Sequence, residues 1–452
     1  MSDDKIKKYN LTQGGIFQKI LIIALPVIGI NLLQMVYNLA DMFWMGRLGT
    51  EALAATSASG MYLWLSMGFI ILGRMGAEIG VSQSTGSGDN NSAHQYMNNS
   101  FFISAVLGLA VGIMMVFGKN ILVGFFNIKE IEVVSLAETY ISISGIGMPM
   151  MFISAVIAGT FTGTGNSRLV FYINSIGIIF NLILDPIMIF GMNMGIKGAA
   201  FSNVIGQLLG FILSIWALYC HPHRPFKKVI LWTRPHIKTI KQIFKWGLPV
   251  MVESLLFPFL SMIITRVVTQ WGSAAIAAQR ISSQAESLTW LIAGGFCTSV
   301  TSFIGQNFGA DKWSRIRKGM RISAIMLTVY GIVVTLFLYF CGSLIFRTFT
   351  TDEEVISLGV RFLRILSLCQ LTSCFESLYA GYFRGIGQTI PPSIINIAGN
   401  ILRVIAAILL SNTSLGLDGV CWAISLGNVF RALMLIAWFF VVKHKSYIKK
   451  TA

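Results

Sequence analysis

The chain has 452 residues, of which 55% are hydrophobic and only 12% are charged. A globular domain carries about 25% charged residues, so a soluble enzyme, a disordered chain and a secreted disulfide scaffold are all poor fits. The composition indicates a polytopic α-helical membrane protein, whose length accommodates about twelve spans of roughly 20–25 residues. In such a protein the formal net charge of +16 can reflect membrane topology instead of nucleic-acid binding.

The hydropathy pattern predicts twelve membrane-spanning helices, near residues 17–46, 51–82, 97–118, 136–162, 168–191, 196–219, 241–270, 274–306, 319–346, 357–383, 389–411 and 417–442. The first apolar segment has no small-residue cleavage site, so we expect a retained span and not a signal peptide. An even number of spans places both termini on one side of the membrane. If that side is cytoplasmic, the inner segments hold 22 of the 34 basic residues and four of the 18 acidic ones, as the positive-inside rule requires.

The two halves of the chain repeat each other. A shift of 223 positions lays residues 24–89 over residues 247–312 without a gap, so that Gln83 and Gly86 match Gln306 and Gly309. Both halves begin on the inner side, so the repeats are parallel and are related by an axis along the membrane normal.

This repeat predicts three parts of the chain. We expect an N-terminal lobe over residues 1–220 with spans one to six, and a basic cytoplasmic linker over 221–245. A C-terminal lobe over 246–452 then holds spans seven to twelve. Facing repeats with costly charges inside their spans favour a transporter over a membrane scaffold.

Several segments resemble one known family. Residues 41–55, DMFWMGRLGTEALAA, resemble the first-span signature of the MATE (multidrug and toxic-compound extrusion) family, and residues 276–311 are similar to its repeat in the second half. Residues 163–166 and 385–388 lie where the family has paired glycine-rich turns. The resemblance covers residues 15–442. It implies two six-helix lobes and export of organic compounds, often cationic and aromatic, driven by inward flow of Na⁺ or H⁺ with no other cofactor.

Ionisable residues inside the predicted spans are candidate functional residues, because each costs about 2.5–3.5 kcal/mol to insert. Counting about 1.5 Å per helical residue places Asp41, Asp185 and Asn203 at one level in the outer third of the membrane, with Asn181 one turn before Asp185. Pro186 leaves one helical carbonyl free to bind a ligand or to let the helix bend. These oxygen ligands suit Na⁺, or a proton shared between coupled carboxylates.

The family resemblance implies that these four side chains form a cation-coupling site in the N-terminal lobe, with Na⁺ as the only metal expected, at Asp41 and Asp185. The position of Asn203 is often Thr in the family, which weakens its assignment as a ligand. A buried hydrogen-bonded cluster without transport function is the alternative. Pro26, together with Pro186 and Pro249, is a candidate for a helix bend.

The second half cannot hold the same cluster, because Asp41 aligns there with Ile264. It has Glu253 instead, four residues after Pro249. The resemblance implies that this glutamate contributes to coupling or to substrate binding, and a structural salt bridge is the alternative.

Six further charges fall inside spans, and one of them, Glu376 near the inner end of span ten, is expected to form an ion pair. Glu286, Arg403 and Arg431 are predicted to lie at mid-membrane in the second half, where they form either a mutually neutralising network or a substrate contact. Arg74 and Glu78 are four residues apart on one helix face, so they predict an ion pair, with a cytoplasmic gate as the alternative.

These patterns predict a cation-coupled antiporter, not an enzyme, that exports organic compounds, cationic or aromatic, across the cytoplasmic membrane by alternating access. A flippase or exporter of a lipid-linked or anionic substrate is the alternative, supported by Arg403 and Arg431. A receptor or scaffold that does not transport is a third. We expect small-molecule substrates, the lipid bilayer as surroundings, no nucleic acid, a functional monomer and both termini in the cytoplasm.

Overall fold

The computed structural model describes residues 9–222, 224–226, 229 and 235–451. This part of the chain is helical throughout and contains no β-strand, as the composition predicts. Its helices, numbered in chain order, are α1 (Ile16–Leu48), α2 (Thr50–Ser87), α3 (Asn90–Phe117), α4 (Lys119–Gly124), α5 (Ile131–Gly163), α6 (Ser167–Pro186), α7 (Ile196–Cys220), α8 (Ile237–Val268), α9 (Gly272–Gly309), α10 (Trp313–Phe340), α11 (Gly342–Phe349), α12 (Glu353–Ser367), α13 (Gln370–Gly385), α14 (Ile390–Ser411) and α15 (Gly416–Thr451).

The helices give the twelve predicted spans. Ten helical segments of the described chain are long and apolar enough to cross a membrane, and α12 with α13 form an eleventh that is bent by 45°. One of the ten, Ile237–Gly309, has 73 residues, which at about 1.5 Å per residue is several times the thickness of a bilayer. A 3₁₀ turn at Thr269–Trp271 and a positive φ of 83° at Gly272 divide it into α8 and α9. Counted separately, these two bring the total to twelve, which confirms the predicted all-helical membrane fold.

The helix bounds carry the same repeat as the sequence. The shift of 223 positions moves Asn90–Phe117 onto Trp313–Phe340, so that α3 and α10 correspond residue for residue. It also moves the first residue of α4 onto that of α11, two short helices that the hydropathy pattern does not predict. The two halves therefore fold into similar successions of helices, in which the bent pair α12 and α13 takes the place of the single helix α5.

The described chain forms two compact units. The first comprises the described residues within 9–14, 22–251 and 305–312, and the second comprises those within 15–21, 252–304 and 313–451. Helices α1, α8 and α9 therefore each pass from one unit to the other. The predicted linker over 221–245 includes positions 223, 227, 228 and 230–234, which lie outside the described residues. The lobe boundaries given above stay a prediction.

Helix α5 is central to the first unit because its glycines let other helices approach closely. A Cβ on Gly159 would lie 2.9 Å from the carbonyl oxygen of Arg74, and one on Gly163 would lie 2.9 Å from that of Glu78. On another face of α5, a Cβ on Gly112 of α3 would lie 2.7 Å from the carbonyl oxygen of Gly145. Lipid supplies no hydrophobic drive for helix association, so close packing at small residues is what holds such helices together.

Candidate functional site

Asp185 is the buried centre of a polar cluster in the first unit. It lies at the end of α6 and its exposed fraction is 0%. The Ser202 hydroxyl, from α7, donates a hydrogen bond to its carboxylate. One terminal atom of the Asn181 amide, one turn earlier on α6, lies 3.0 and 3.1 Å from the two carboxylate oxygens of Asp185. We assign this atom as the nitrogen, because of the two terminal amide atoms only the nitrogen can donate to a carboxylate.

Asn203 links this carboxylate to two tyrosines. One terminal amide atom of Asn203 lies 3.0 Å from the amide of Asn181, and the other lies 3.3 Å from the hydroxyl of Tyr140 on α5. The hydroxyl of Tyr37 on α1 is also within hydrogen-bonding distance. The cluster thus draws side chains from α1, α5, α6 and α7, and every polar atom in it is an oxygen or an amide nitrogen.

Asp41 completes the cluster from α1 and is its least satisfied member. It is half-buried and its Oδ1 atom is enclosed without a hydrogen-bond partner in the described chain. It lies near enough to Asp185, Tyr37 and Tyr140 to interact with them electrostatically. No Lys or Arg of the described residues forms an ion pair with either aspartate. Two carboxylates in such surroundings need a shared proton or a bound cation to relieve their repulsion.

The ligand chemistry of this cluster fits an alkali cation or a proton. Its carboxylate, amide and hydroxyl oxygens are the ligands that a hard cation prefers. Among the described residues, no group of three or more His, Cys, Asp or Glu side chains is placed to hold a metal ion. The sites of transition metals, which rely on such groups, are therefore a poor comparison.

The three predicted bend prolines occupy different settings. After Pro186 the chain does not resume an α-helix but forms a π-helical turn over Ile187–Gly191, which the sequence did not reveal. Pro26 stands inside α1 and its repeat equivalent Pro249 stands inside α8. Each of these two lies within five residues of the point where its helix passes between the units, after Leu21 and Met251 respectively.

In the second unit, Glu253 of α8 is bound to α14. The Asn396 amide donates to its Oε1 atom at 2.8 Å, while its Oε2 atom is enclosed without a partner in the described chain. Glu286 of α9 accepts a hydrogen bond of 3.1 Å from Gln370.

The two mid-membrane arginines of the second unit are held differently. Arg431 of α15 forms an ion pair of 3.2 Å with Glu376 of α13 and donates to Asn400 at 2.7 Å. Arg403 of α14 donates to the Ser261 hydroxyl at 3.2 Å. Glu286 interacts with both arginines electrostatically, but neither ion-pairs with it within 4.0 Å in the described chain.

Arg74 and Glu78 form an ion pair along α2 at 3.8 Å between Nε and Oε2. Glu78 is fully buried while Arg74 is partly exposed. Both lie where α5 packs its glycines against the α2 backbone, so the pair is set into a tight helix contact.

Three residues of the first cluster and one motif of the second unit were not assigned to these sites from the sequence. Ser202 and Tyr140 were not singled out, because a hydroxyl barely disturbs the hydropathy pattern, although Ser202 directly precedes Asn203. Tyr37 was expected to line a substrate pocket or to face lipid, although its position one turn before Asp41 places it on the same helix face. A Gly-Asn-x-x-Arg motif that occurs in both α14 and α15, at residues 399–403 and 427–431, was also visible in the sequence.

Twelve apolar spans that two sequence repeats provide, with buried carboxylates inside them, define a polytopic membrane transporter. The family model MatE matches residues 26–187 and 249–409, one match in each repeat. The chain belongs to the MatE family, which confirms the resemblance and makes it a transporter and not an enzyme.

Individual relatives agree with this assignment. The probable multidrug resistance protein NorM of Thermotoga maritima is 25% identical over 427 residues, which cover 92% of this chain and 90% of that protein. A structure of a MATE in the bent conformation matches with a TM-score of 0.92 at 22% identity, covering 98% of this chain and 99% of that one. A structure of a MOP superfamily transporter from Pyrococcus furiosus matches with a TM-score of 0.88 at 22% identity, covering 96% of this chain and 97% of that one. The binding pocket of that transporter is described as having reverse polarity, which suggests a different function.

Proposed function

We propose that this protein is a cation-coupled antiporter that exports organic compounds, cationic or aromatic, from the cell by alternating access. The observation that carries the proposal is the cluster around Asp41 and Asp185, in which two carboxylates share one polar site without a basic partner among the described residues. The name of the Thermotoga maritima relative, a probable multidrug resistance protein, supports a small organic substrate.

The coupling follows from charge. With both carboxylates ionised, the cluster repels itself, and a bound Na⁺ or a shared proton removes that repulsion. A conformation that brings Asp41 closer to Asp185 therefore binds the cation more tightly than one that separates them. This difference in affinity is what allows an inward cation gradient to drive a conformational change. Because Asp41 is on α1 and Asp185 on α6, movement of α1 about Pro26 changes their separation.

The protein is proposed to lie in the cytoplasmic membrane with both termini in the cytoplasm, because that orientation puts most Lys and Arg residues on the inner side. It works as a monomer, with small-molecule substrates and the lipid bilayer as its only necessary partners and with no nucleic acid. The N-terminal lobe provides the cation site through Asp41, Asp185, Asn181 and Asn203. In the C-terminal lobe Glu253 contributes to coupling through its unpartnered Oε2 atom.

The decisive experiment is efflux of ethidium from proteoliposomes, with Na⁺ and pH gradients imposed separately. The wild type should respond to one of the two gradients, which identifies the coupling ion. Asp41→Asn should lower gradient-driven efflux at least tenfold, because a neutral amide loses charge-assisted contacts worth about 1.5–3 kcal/mol. The matched control is Asp418→Asn, which removes a carboxylate paired with Arg361 on the second unit, away from the cluster.

The control should transport like the wild type, and both variants should elute as single species on size exclusion. If Asp41→Asn shows efflux at the wild-type rate under both gradients, the assignment of Asp41 to the cation site is wrong.

A flippase or exporter of a lipid-linked or anionic substrate is the second candidate. Arg403 favours it, because this buried guanidinium has no ion-pair partner within 4.0 Å in the described chain. Arg431 favours it less, since Glu376 already neutralises it. The Pyrococcus furiosus transporter, whose reverse pocket polarity is described as suggesting a different function, supports the idea that one fold can serve more than one function. Transport of a lipid-linked anion with no response to either cation gradient would select this candidate.

A further inference from the structure

Helices α14 and α15 hold their two arginines by a reciprocal contact. A Cβ on Gly399 would lie 2.3 Å from Cγ of Arg431, and a Cβ on Gly427 would lie 2.9 Å from Cβ of Arg403. Each helix therefore provides, through the glycine of its Gly-Asn-x-x-Arg motif, the space that the arginine of the other helix fills. The aliphatic parts of both arginine side chains are consequently packed against the backbone of the opposite helix.

The two arginines differ in how their charge is compensated. Arg431 has Glu376 at 3.2 Å, Asn400 at 2.7 Å and Asn428 as further hydrogen-bond partner. These contacts neutralise the charge and occupy both terminal nitrogens. Arg431 is thus a structural arginine.

Arg403 lacks such compensation. Its exposed fraction is 5%, its side-chain hydrogen bond goes to the Ser261 hydroxyl, and its Nε atom has no partner in the described chain. A guanidinium has five N–H donors and stays charged at all physiological pH values. A buried charge of this kind is costly unless an anion meets it.

Two carboxylates interact with Arg403 without touching it. Glu286 and Glu376 interact with it electrostatically, but neither forms an ion pair with it within 4.0 Å in the described residues. Glu286 accepts from Gln370, and Glu376 pairs with Arg431. A direct carboxylate contact to the Arg403 guanidinium is therefore left for a ligand from outside the chain.

An aromatic surface lies beside the unpaired guanidinium. The Arg403 guanidinium carbon is 5.5 Å from the ring centre of Phe257, and that ring is 5.5 Å from the ring of Trp290. Trp290 keeps an exposed fraction of 36%, so the aromatic pair extends from the buried arginine to an open surface. A planar ring can pack against these residues while a carboxylate on it reaches the guanidinium in the two-pronged geometry that arginine favours.

We propose that Arg403, Phe257 and Trp290 form a subsite for planar aromatic carboxylates, so that the compounds carried by this protein include aromatic anions and zwitterions. The inference rests on the proposed function in assuming a small organic substrate. It extends that function, because cationic substrates alone leave Arg403 without a ligand.

The test is equilibrium binding to the purified full-length protein of three probes with one ring system: 2-naphthoate, 2-naphthylmethylammonium and 2-naphthalenemethanol. The wild type should bind the carboxylate most tightly. Arg403→Gln should weaken naphthoate binding about 10- to 150-fold, the range for hydrogen bonds to a charged group, with little effect on the other two probes. Arg403→Lys keeps the charge without the planar fork and should fall in between.

Two further variants make the outcome specific. Phe257→Leu should weaken all three probes to a similar extent, because it removes ring packing and not charge. Arg361→Gln, an exposed arginine paired with Asp418, should leave all three affinities unchanged. If Arg403→Gln does not fold, Arg403→Lys and Phe257→Leu carry the same comparison.

The subsite is wrong if the wild type shows no preference for naphthoate, or if the Arg403 variants lose all three probes equally. Because this assay needs no gradient, its failure is distinct from that of cation coupling, which only the proteoliposome experiment measures.

Discussion

The crossing of α2 with the end of α9 gives a sharp test of how tightly the first unit is packed. A Cβ on Gly86 would lie 1.9 Å from the carbonyl oxygen of Gln306, and a Cβ on Gly309 would lie 1.9 Å from that of Gln83. Both obstacles are backbone atoms, so no side chain can move aside. Gly86→Ala therefore forces the two helices apart by more than about 1 Å, or bends one of them, and overpacking of this kind costs about 1–3 kcal/mol.

Gly60 provides the matched control on the same helix. An ideal Cβ there meets no atom within 4 Å, so Gly60→Ala adds no clash. It should raise stability by up to about 1 kcal/mol, because alanine favours a helix over glycine. The two substitutions are chemically identical and differ only in what the new methyl group meets. Their free energies of unfolding should therefore differ by about 1–4 kcal/mol.

The measurement is denaturant-induced unfolding in mixed micelles, followed by circular dichroism for both variants and the wild type. Gly309→Ala should reproduce the effect of Gly86→Ala, because the contact is reciprocal. Equal unfolding free energies for Gly86→Ala and Gly60→Ala would refute the close approach of the two helices.

Two further predictions concern residues next to this crossing. Lys312 donates to the carbonyl oxygen of Thr12 at 3.0 Å and to its hydroxyl at 3.2 Å. Lys312→Ala should therefore accelerate amide hydrogen exchange over residues 9–14 about tenfold or more, and unchanged exchange would contradict the contact. The control is Lys318→Ala, which changes an exposed lysine and should leave this exchange unaltered. Asp89 caps the start of α3, and hydrogen bonds from the Ser92 side chain and amide hold the pKa of its carboxyl below the usual value. The lower folded-state pKa means that the cap stabilises fully above the ordinary aspartate pKa of about 4 and loses this effect as the pH falls towards the folded value. Comparing thermal stability at pH 7 and pH 3 should show a smaller decrease in Asp89→Asn than in the wild type, and equal decreases would count against the cap.

The sequence predicted the architecture well because the strongest signals of a membrane protein are one-dimensional. Apolar runs give the spans, and the shift of 223 positions gives a repeat that the helix bounds follow. The short helices α4 and α11 were not predicted, because six and eight residues are too few to be recognised in a hydropathy profile. The π-helical turn after Pro186 was not predicted, because a proline indicates that the α-helix is interrupted but not which backbone conformation follows.

The candidate sites were predictable only in part. Depth counting places Asp41, Asp185 and Asn203 at one level, and the structure brings them into one cluster. The ion-pair partners of the arginines in the second unit could not be predicted from depth along the helices. Arg431 pairs with Glu376 and not with Glu286, a selection that depends on how α13 and α15 face each other.

The contact between the Gln-x-x-Gly segments at residues 83–86 and 306–309 has a form usually seen between separate molecules. Each segment lays its glycine on the glutamine carbonyl of the other, so that equivalent residues exchange equivalent contacts. This is an isologous interface, the kind that identical subunits make across a two-fold axis. Residues 83–86 and 306–309 are equivalent in the two repeats, so this point of the fold has local two-fold symmetry. One surface is thus complementary to its own equivalent, and a change in the repeated segment alters both sides of the contact.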